Sequence, residues 1–388
     1  MSFGEKADRP LIPCDTAWDY APRRASLFSP RRIVLARGSL DTPERTAMVR
    51  EICQVYPDAE VIEALDRPHN RIDLDVTQPL DRHYAGKHTL VLGEHQSAVR
   101  LSAEKHNACP NYWHVSPYGF CPYGCTYCYL AATRGVWFSP TVKVFLNLDA
   151  MLARIDRIAS DLRTPTPFYL GKLQDGLALD PLTGYSRAMV PFFAAHPHAR
   201  LTLLTKAADV DNLLDLDHAG HTILSWSLNP PDVCDAFERN TPKPEARIQA
   251  MRKCASAGYP VRAVIMPIIP VPDWRGVYAT FLLQLVTQVE LDRITLGGVC
   301  SYPGAVDLMA SKLGTQNAIS QALDRHASKS RDGRNRYRPA DRIAIYRHLI
   351  SVVRAQRPEL PVGLCLEERS VFQALDLTAA IGRCNCVL

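Results

Sequence analysis

The chain has 388 residues, 47% of them hydrophobic and 22% charged, with 45 basic against 40 acidic side chains for a formal charge of +5. That apolar content supports a large core and excludes global disorder, and the length fits one barrel-sized domain with additions. The most apolar run, VRAVIMPIIPVP, is broken by three prolines and falls short of the roughly 18 apolar residues a membrane helix needs. The opening MSFGEKADRP has no apolar signal core, so the expected compartment is the cytoplasm, with no membrane partner. A small positive charge permits an anionic partner without demanding one.

The first twenty-five or so residues, rich in Pro and Arg, read as an arm that wraps the body. RRIVLARG then reads as a strand, and TPERTAMVREICQVYP as a helix capped by Thr42 with Glu44 in its first turn. AEVIEAL and HTLVLGEH are two further strands, giving a small N-terminal α/β region over residues 1–105. From about residue 110 strands and helices alternate. TVKVFLN is the first strand, followed by a helix whose apolar residues Leu148, Met151, Leu152, Ile155, Ile158 and Leu162 keep helical spacing. FYLG, ARLTLLTK, TILSWSLN, VRAVIMPII and RITLGGV are short apolar strands, with PEARIQAMRKCASAGY a helix stopped at Gly258. Near-continuous apolar strands separated by helices predict a covered parallel sheet, here a partial barrel over 106–300. Residues 301–388 form a C-terminal region: a polar basic stretch, the helix ADRIAIYRHLISVVRAQ, the strand LPVGLCL and a cysteine-bearing tail.

Twelve cysteines are many for an intracellular chain and point to metal or redox chemistry. Cys14, Cys53, Cys109, Cys234, Cys254 and Cys300 are scattered, as small buried hydrophobes are. Cys121, Cys125 and Cys128, in FCPYGCTYCYL, form C-x3-C-x2-C. A four-iron cubane takes four thiolates, so three on one tight loop leave an iron open to chelation by a cosubstrate. The open iron can chelate the amino and carboxylate groups of S-adenosylmethionine (SAM), whose reductive cleavage gives a 5'-deoxyadenosyl radical. Zinc would more often show paired C-x2-C knuckles or a close histidine; His114 is seven residues upstream. Plain buried cysteines are the bland alternative.

On these residues the chain resembles radical SAM enzymes, and within them the spore photoproduct lyase family. The resemblance runs from about residue 32 to about 355, through RPHNRI, HTLVLGEH, CTYCYL, LTLLTKAADVDNLLDLDHAGHTILSWSLN and EARIQAMRKCASAGYPVRAVIMPII. It implies a radical SAM partial barrel, with a 4Fe-4S cluster and S-adenosyl-L-methionine as cofactors and a reductant such as flavodoxin or ferredoxin. It implies that Tyr127 lies against the adenine, Asp175 binds the SAM ribose and Lys206 stands near its carboxylate. Ser227 and Asn229 would face SAM from a strand end. Tyr127 and Tyr129 match two tyrosines of a radical relay. Asp175, Lys206, Ser227 and Asn229 sit at the C-terminal ends of candidate parallel strands, where such sheets place ligands.

The chain departs from the family in two places. The lyases place a hydrogen-donating cysteine three residues before the acidic residue of GKLQDG; here that position is Lys172, whose N–H bonds are too strong to donate a hydrogen atom. Lys172 would instead bring a cation to the substrate pocket. The second departure is the tail, where Cys384 and Cys386 form C-x-C. With Cys365 and Cys300 they could make a second metal site, or they could supply the missing thiol from a mobile tail. The stretch KSRDGRNRYR lies where the family has a hairpin that touches DNA, so Arg334, Arg336 and Arg338 are expected on phosphates, with Tyr337 as a stacking surface. The expected function is lyase-like radical chemistry on a nucleobase or nucleic acid, of the DNA photolesion repair type. The alternatives are radical modification of a small metabolite or peptide, and a non-catalytic nucleic-acid-binding protein with a structural metal. Oligomeric state is not legible.

Overall fold

The computed structural model describes residues 20–323 and 330–388. Most of the expected N-terminal arm, and Lys329 of the basic stretch, lie outside the described residues; the arm's last part does wrap, with Arg23 N donating to Pro181 O at 2.8 Å.

Two sheets share one continuous core. The first is centred on Arg32–Ala36, flanked in parallel by Glu60–Ala64 and Thr89–Gly93. The helix Pro43–Val55 covers it, and Thr42 Oγ1 accepts from Arg45 N as the expected cap. Val142–Phe145, expected to open the barrel alternation, instead extends this first sheet beside Thr89–Gly93. All four of its residues are buried, as in a parallel strand covered on both faces. The helix Pro79–Lys87 and the strands Val99–Ser102 and Tyr112–Val115 were not legible, being short and polar or aromatic.

The second sheet has eight strands. From one edge the order is Val362–Leu364, Arg293–Gly298, Val261–Ile268, Thr222–Leu228, Ala199–Thr205, Thr166–Leu170 and Tyr112–Val115, all parallel. Val99–Ser102 adds an antiparallel edge. This is the expected partial barrel, and its two edges do not pair. A loop bridges the gap: Ala108 N donates to Glu367 O at 2.7 Å, and Arg336 reaches both Asn107 Oδ1 and Leu366 O. Strand residues alternate faces. Leu203, Leu224, Ile265 and Leu296 join the core under the helices. Thr202, Arg262, Arg293 and Gly363 point inward, where they meet the chain's last residues.

Those last residues do not form the expected mobile surface tail. Arg293 Nη1 donates to Cys384 O at 2.9 Å, Arg262 Nη1 to Val387 O at 2.6 Å and Thr202 Oγ1 to Cys386 O at 3.4 Å. The tail therefore fills the inside of the barrel, satisfying its carbonyls on buried arginines. Gly363 permits this, because a Cβ there would lie 2.6 Å from Arg383 O. Gly363→Ala should cost about 1–3 kcal/mol by overpacking. Thermal unfolding should show that loss in the full chain and a smaller one in a chain ending at Gly382; equal losses in both would mean that the tail does not occupy this position.

Candidate active site

The cysteine loop is built from backbone pairing. Gly124–Cys125 runs antiparallel to Glu238–Arg239, and Thr126 N donates to Phe237 O at 2.8 Å. Glycine is required at 124, since a Cβ would stand 2.8 Å from Arg239 O. Lys87 Nζ donates to Cys121 O at 2.5 Å and lies 3.5 Å from the Phe120 ring centroid. Burial pushes the Cys121 thiol up to about 11, with Lys87 opposing, and Cys125 up to about 12, with Lys206 opposing. As free thiols both stay protonated near neutrality, so metal binding here must release protons. Among the described residues no three His, Cys, Asp or Glu side chains surround a point where a single ion could sit. A cubane asks for something else, thiolates standing at separate iron corners, and three cysteines on one pinned loop fit it with one corner left open.

Beside the loop lies a buried carboxylate that the sequence did not single out. Glu238 Oε2 pairs with Arg247 Nη2 at 2.6 Å, both side chains being fully buried. Its Oε1 accepts from Tyr127 Oη and from Asn229 Nδ2 at 3.1 Å, and stands 3.7 Å from Lys206 Nζ. Lys206 Nζ also donates to Ser227 Oγ at 2.5 Å, and Tyr278 Oη to Asn229 Oδ1 at 2.9 Å. Burial alone would push the Glu238 carboxyl up, but Lys206 and Arg247 outweigh it and hold it at about 2. Tyr127, picked in the cysteine loop, and Lys206, Ser227 and Asn229, picked at strand ends, thus share one hub. No spacing rule could have revealed Glu238 or Arg247; they reach it from a short strand and the helix Pro244–Ser256.

Asp175 stands next to this hub in a different role. Its Oδ1 accepts from Leu177 N, Ala178 N and Thr205 Oγ1, and its Oδ2 from Lys206 N at 2.7 Å. A carboxylate has about four acceptor positions, and this one spends them on its own chain. Asp175 therefore fixes the loop after Thr166–Leu170 to the end of Ala199–Thr205.

Lys172 points into the barrel mouth. Its Nζ pairs with Glu104 Oε1 at 2.9 Å and donates to Ser102 Oγ. Tyr129, 36% exposed, donates from its hydroxyl to Lys172 O at 2.6 Å. Glu104 Oε2 in turn holds Arg334 Nη2 at 2.8 Å, which also meets Tyr302 Oη. Arg336 pairs with Asp332 at 2.6 Å. The basic stretch is thus an internal ion-pair network that closes the barrel. Arg336 and Tyr337 are each 1% exposed, so neither presents the phosphate contact or stacking face expected of it, and Arg334 is committed to Glu104. Arg338 remains on the surface, paired with Asp341 at 2.9 Å.

The remaining cysteines regroup. Burial pushes the Cys365 thiol up, reinforced by Cys109, Cys384 and Cys300. Cys384 and Cys386 flank Asn385, and Cys384 is 6% exposed. Cys300 stands to one side, its sulfur 4.0 Å from Arg334 Nη1. Cys109, read as a scattered residue, is brought in by the closing loop.

A three-cysteine loop beside a polar wall at the C-terminal ends of a parallel partial barrel defines the radical SAM class. The chain belongs to the spore photoproduct lyase family, whose model matches residues 28–295. It is similar to the spore photoproduct lyase of Geobacillus sp., 34% identical over 214 residues, which are 54% of this chain and 60% of that protein. It is also similar to the lyase of Bacillus subtilis, 29% identical over 228 residues, covering 58% and 64%. The chain thus spans less than two thirds of each of these two relatives. A solved spore photoproduct lyase complexed with dinucleoside spore photoproduct shares the fold at TM-score 0.76 and 22% identity, over 88% of this chain and all of that one. A variant with bound AdoMet and the same dinucleoside matches at TM-score 0.75 and 22% identity, over 87% and 99%.

Arg247→Met leaves Glu238 without its bidentate-capable partner in a dry site and should cost about 3–5 kcal/mol. Because the folded carboxyl lies near 2 against an ordinary 4.5, the hub's stabilisation is complete above about pH 4.5 and is lost as pH falls toward 2. Acid unfolding of Glu238→Gln should be flatter in that window than that of the parent chain; parallel curves would show that Glu238 is not held ionised.

Proposed function

We propose that this chain is a radical SAM enzyme that repairs a photodamaged nucleobase of the spore photoproduct kind. The observation that carries this reading is the convergence of Tyr127, Lys206, Ser227 and Asn229 on Glu238, beside a pinned loop of three thiols. Cys121, Cys125 and Cys128 would hold a 4Fe-4S cluster, which when reduced supplies the electron that cleaves SAM to a 5'-deoxyadenosyl radical. Lys206, set between Ser227 and Glu238, offers a cation to an incoming carboxylate. The hub keeps that ammonium in place and keeps Tyr127 turned toward the wall. A one-electron carrier such as flavodoxin or ferredoxin fits as reductant.

Hydrogen return must differ from a thiol at position 172. Lys172 is held by Glu104, and its backbone carbonyl orients the Tyr129 hydroxyl at the mouth. We assign Tyr129 as the donor of a hydrogen atom to the product radical: its O–H breaks, a C–H forms, and an electron from the reductant with a proton restores the phenol. The buried Arg336 and Tyr337 leave a smaller polar surface for DNA than expected, which favours recognition of the lesion itself at the mouth.

Anaerobic protein reconstituted with iron and sulfide, then given dithionite and SAM, should release 5'-deoxyadenosine, and more of it with dinucleoside spore photoproduct. Cys125→Ala should lower that release at least a hundredfold, and Tyr129→Phe should retain it while losing repaired thymines. Release that ignores the lesion would move the substrate to another small molecule, and no release from the parent chain would end the enzymatic reading.

A further inference from the structure

We propose that Cys109, Cys365, Cys384 and Cys386 hold a second four-iron cluster inside the barrel, separate from the cysteine loop. The four come from three segments: the closing loop, the residue that follows Val362–Leu364, and the inserted tail. Backbone contacts bring the segments together: Ala108 N donates to Glu367 O at 2.7 Å, and a Cβ at Gly363 would stand 2.6 Å from Arg383 O. The segments are also anchored independently: Cys365 N donates to Leu296 O at 2.9 Å, and the tail hangs on Arg262 and Arg293. No disulfide joins them among the described residues.

Four thiols gathered in a barrel interior, Cys384 buried and the other three half-buried, are an uncommon arrangement if they hold nothing. A metal centre would take all four as thiolates. The thiols surround no point fit for one ion, as the loop trio does not either, so a lone zinc is not favoured at either place. Four thiolates suit a complete cubane, which carries net negative charge and takes hydrogen bonds to its sulfurs. The donors are present and unpartnered: Arg293 Nε, and the Asn385 amide between Cys384 and Cys386, both buried. The arginines that anchor the tail supply the opposing charge. Cys300 sits at the edge and is not a ligand.

Anaerobic reconstitution should give about eight irons and eight sulfides per chain, as two cubanes require. A chain with Cys121, Cys125 and Cys128 all changed to Ala should keep about four of each and a reduced-cluster electron paramagnetic resonance signal. Cys109→Ala should lose about four irons from the parent content while Cys300→Ala loses none. Parent protein with about four irons and an iron-free triple variant would overturn the proposal, as would a stoichiometric zinc in place of iron. Should the triple variant fail to fold, the parent decides alone, since about four irons per parent chain is incompatible with a second cubane. These readouts count metal and do not depend on SAM cleavage, so they stand or fall apart from the proposed repair activity.

Discussion

The ion pair of Glu238 with Arg247 is the interaction on which the site depends. Two fully buried charges are tolerable only when each is surrounded by partners, because removing them from water is otherwise far costlier than their attraction returns. Glu238 meets that condition by collecting Tyr127, Asn229 and Lys206 around itself. The same short strand that carries Glu238 pairs with Gly124–Cys125. One residue therefore sets both the polar wall and the height of the cysteine loop, so wall and loop cannot drift apart without leaving a buried charge exposed to nothing.

A second network governs the barrel's open side. Lys172, Glu104, Arg334, Asp332 and Arg336 alternate in sign across the gap between the two unpaired sheet edges. Alternation keeps each charge opposite its neighbour and lets a basic sequence be buried. Burial raises the Glu104 carboxyl on its own account, yet Lys172 and Arg334 reverse the sign and hold it below the ordinary range. The cation that replaces a thiol at position 172 is thus part of the closure. The mouth is shaped by an alternating chain of charges with the Tyr129 hydroxyl at its rim.

The inserted tail makes the interior unlike an open substrate tunnel. It occupies space that inward-facing small and polar residues leave, and it places thiols beneath the mouth.

Sequence alone determined the class of chemistry and assigned to the barrel five of the eight strands of its sheet. C-x3-C-x2-C is a local constraint, since three ligands on one loop need no tertiary partner to be recognised. Apolar runs at strand length likewise report burial directly, as Thr222–Leu228 does with every residue buried. Strand-end residues such as Lys206 and Asn229 were legible because parallel sheets expose their ligands there. What local pattern could not carry was sign and partner. KSRDGRNRYR reads as a basic surface until Glu104, some 230 positions away, is folded against Arg334. Glu238, Arg247 and Cys109 stand in no motif, and their roles arise only where distant segments meet. Chain order fixes spacing along one segment; the choice of which buried charge faces which, and which thiols share a cavity, belongs to the tertiary structure.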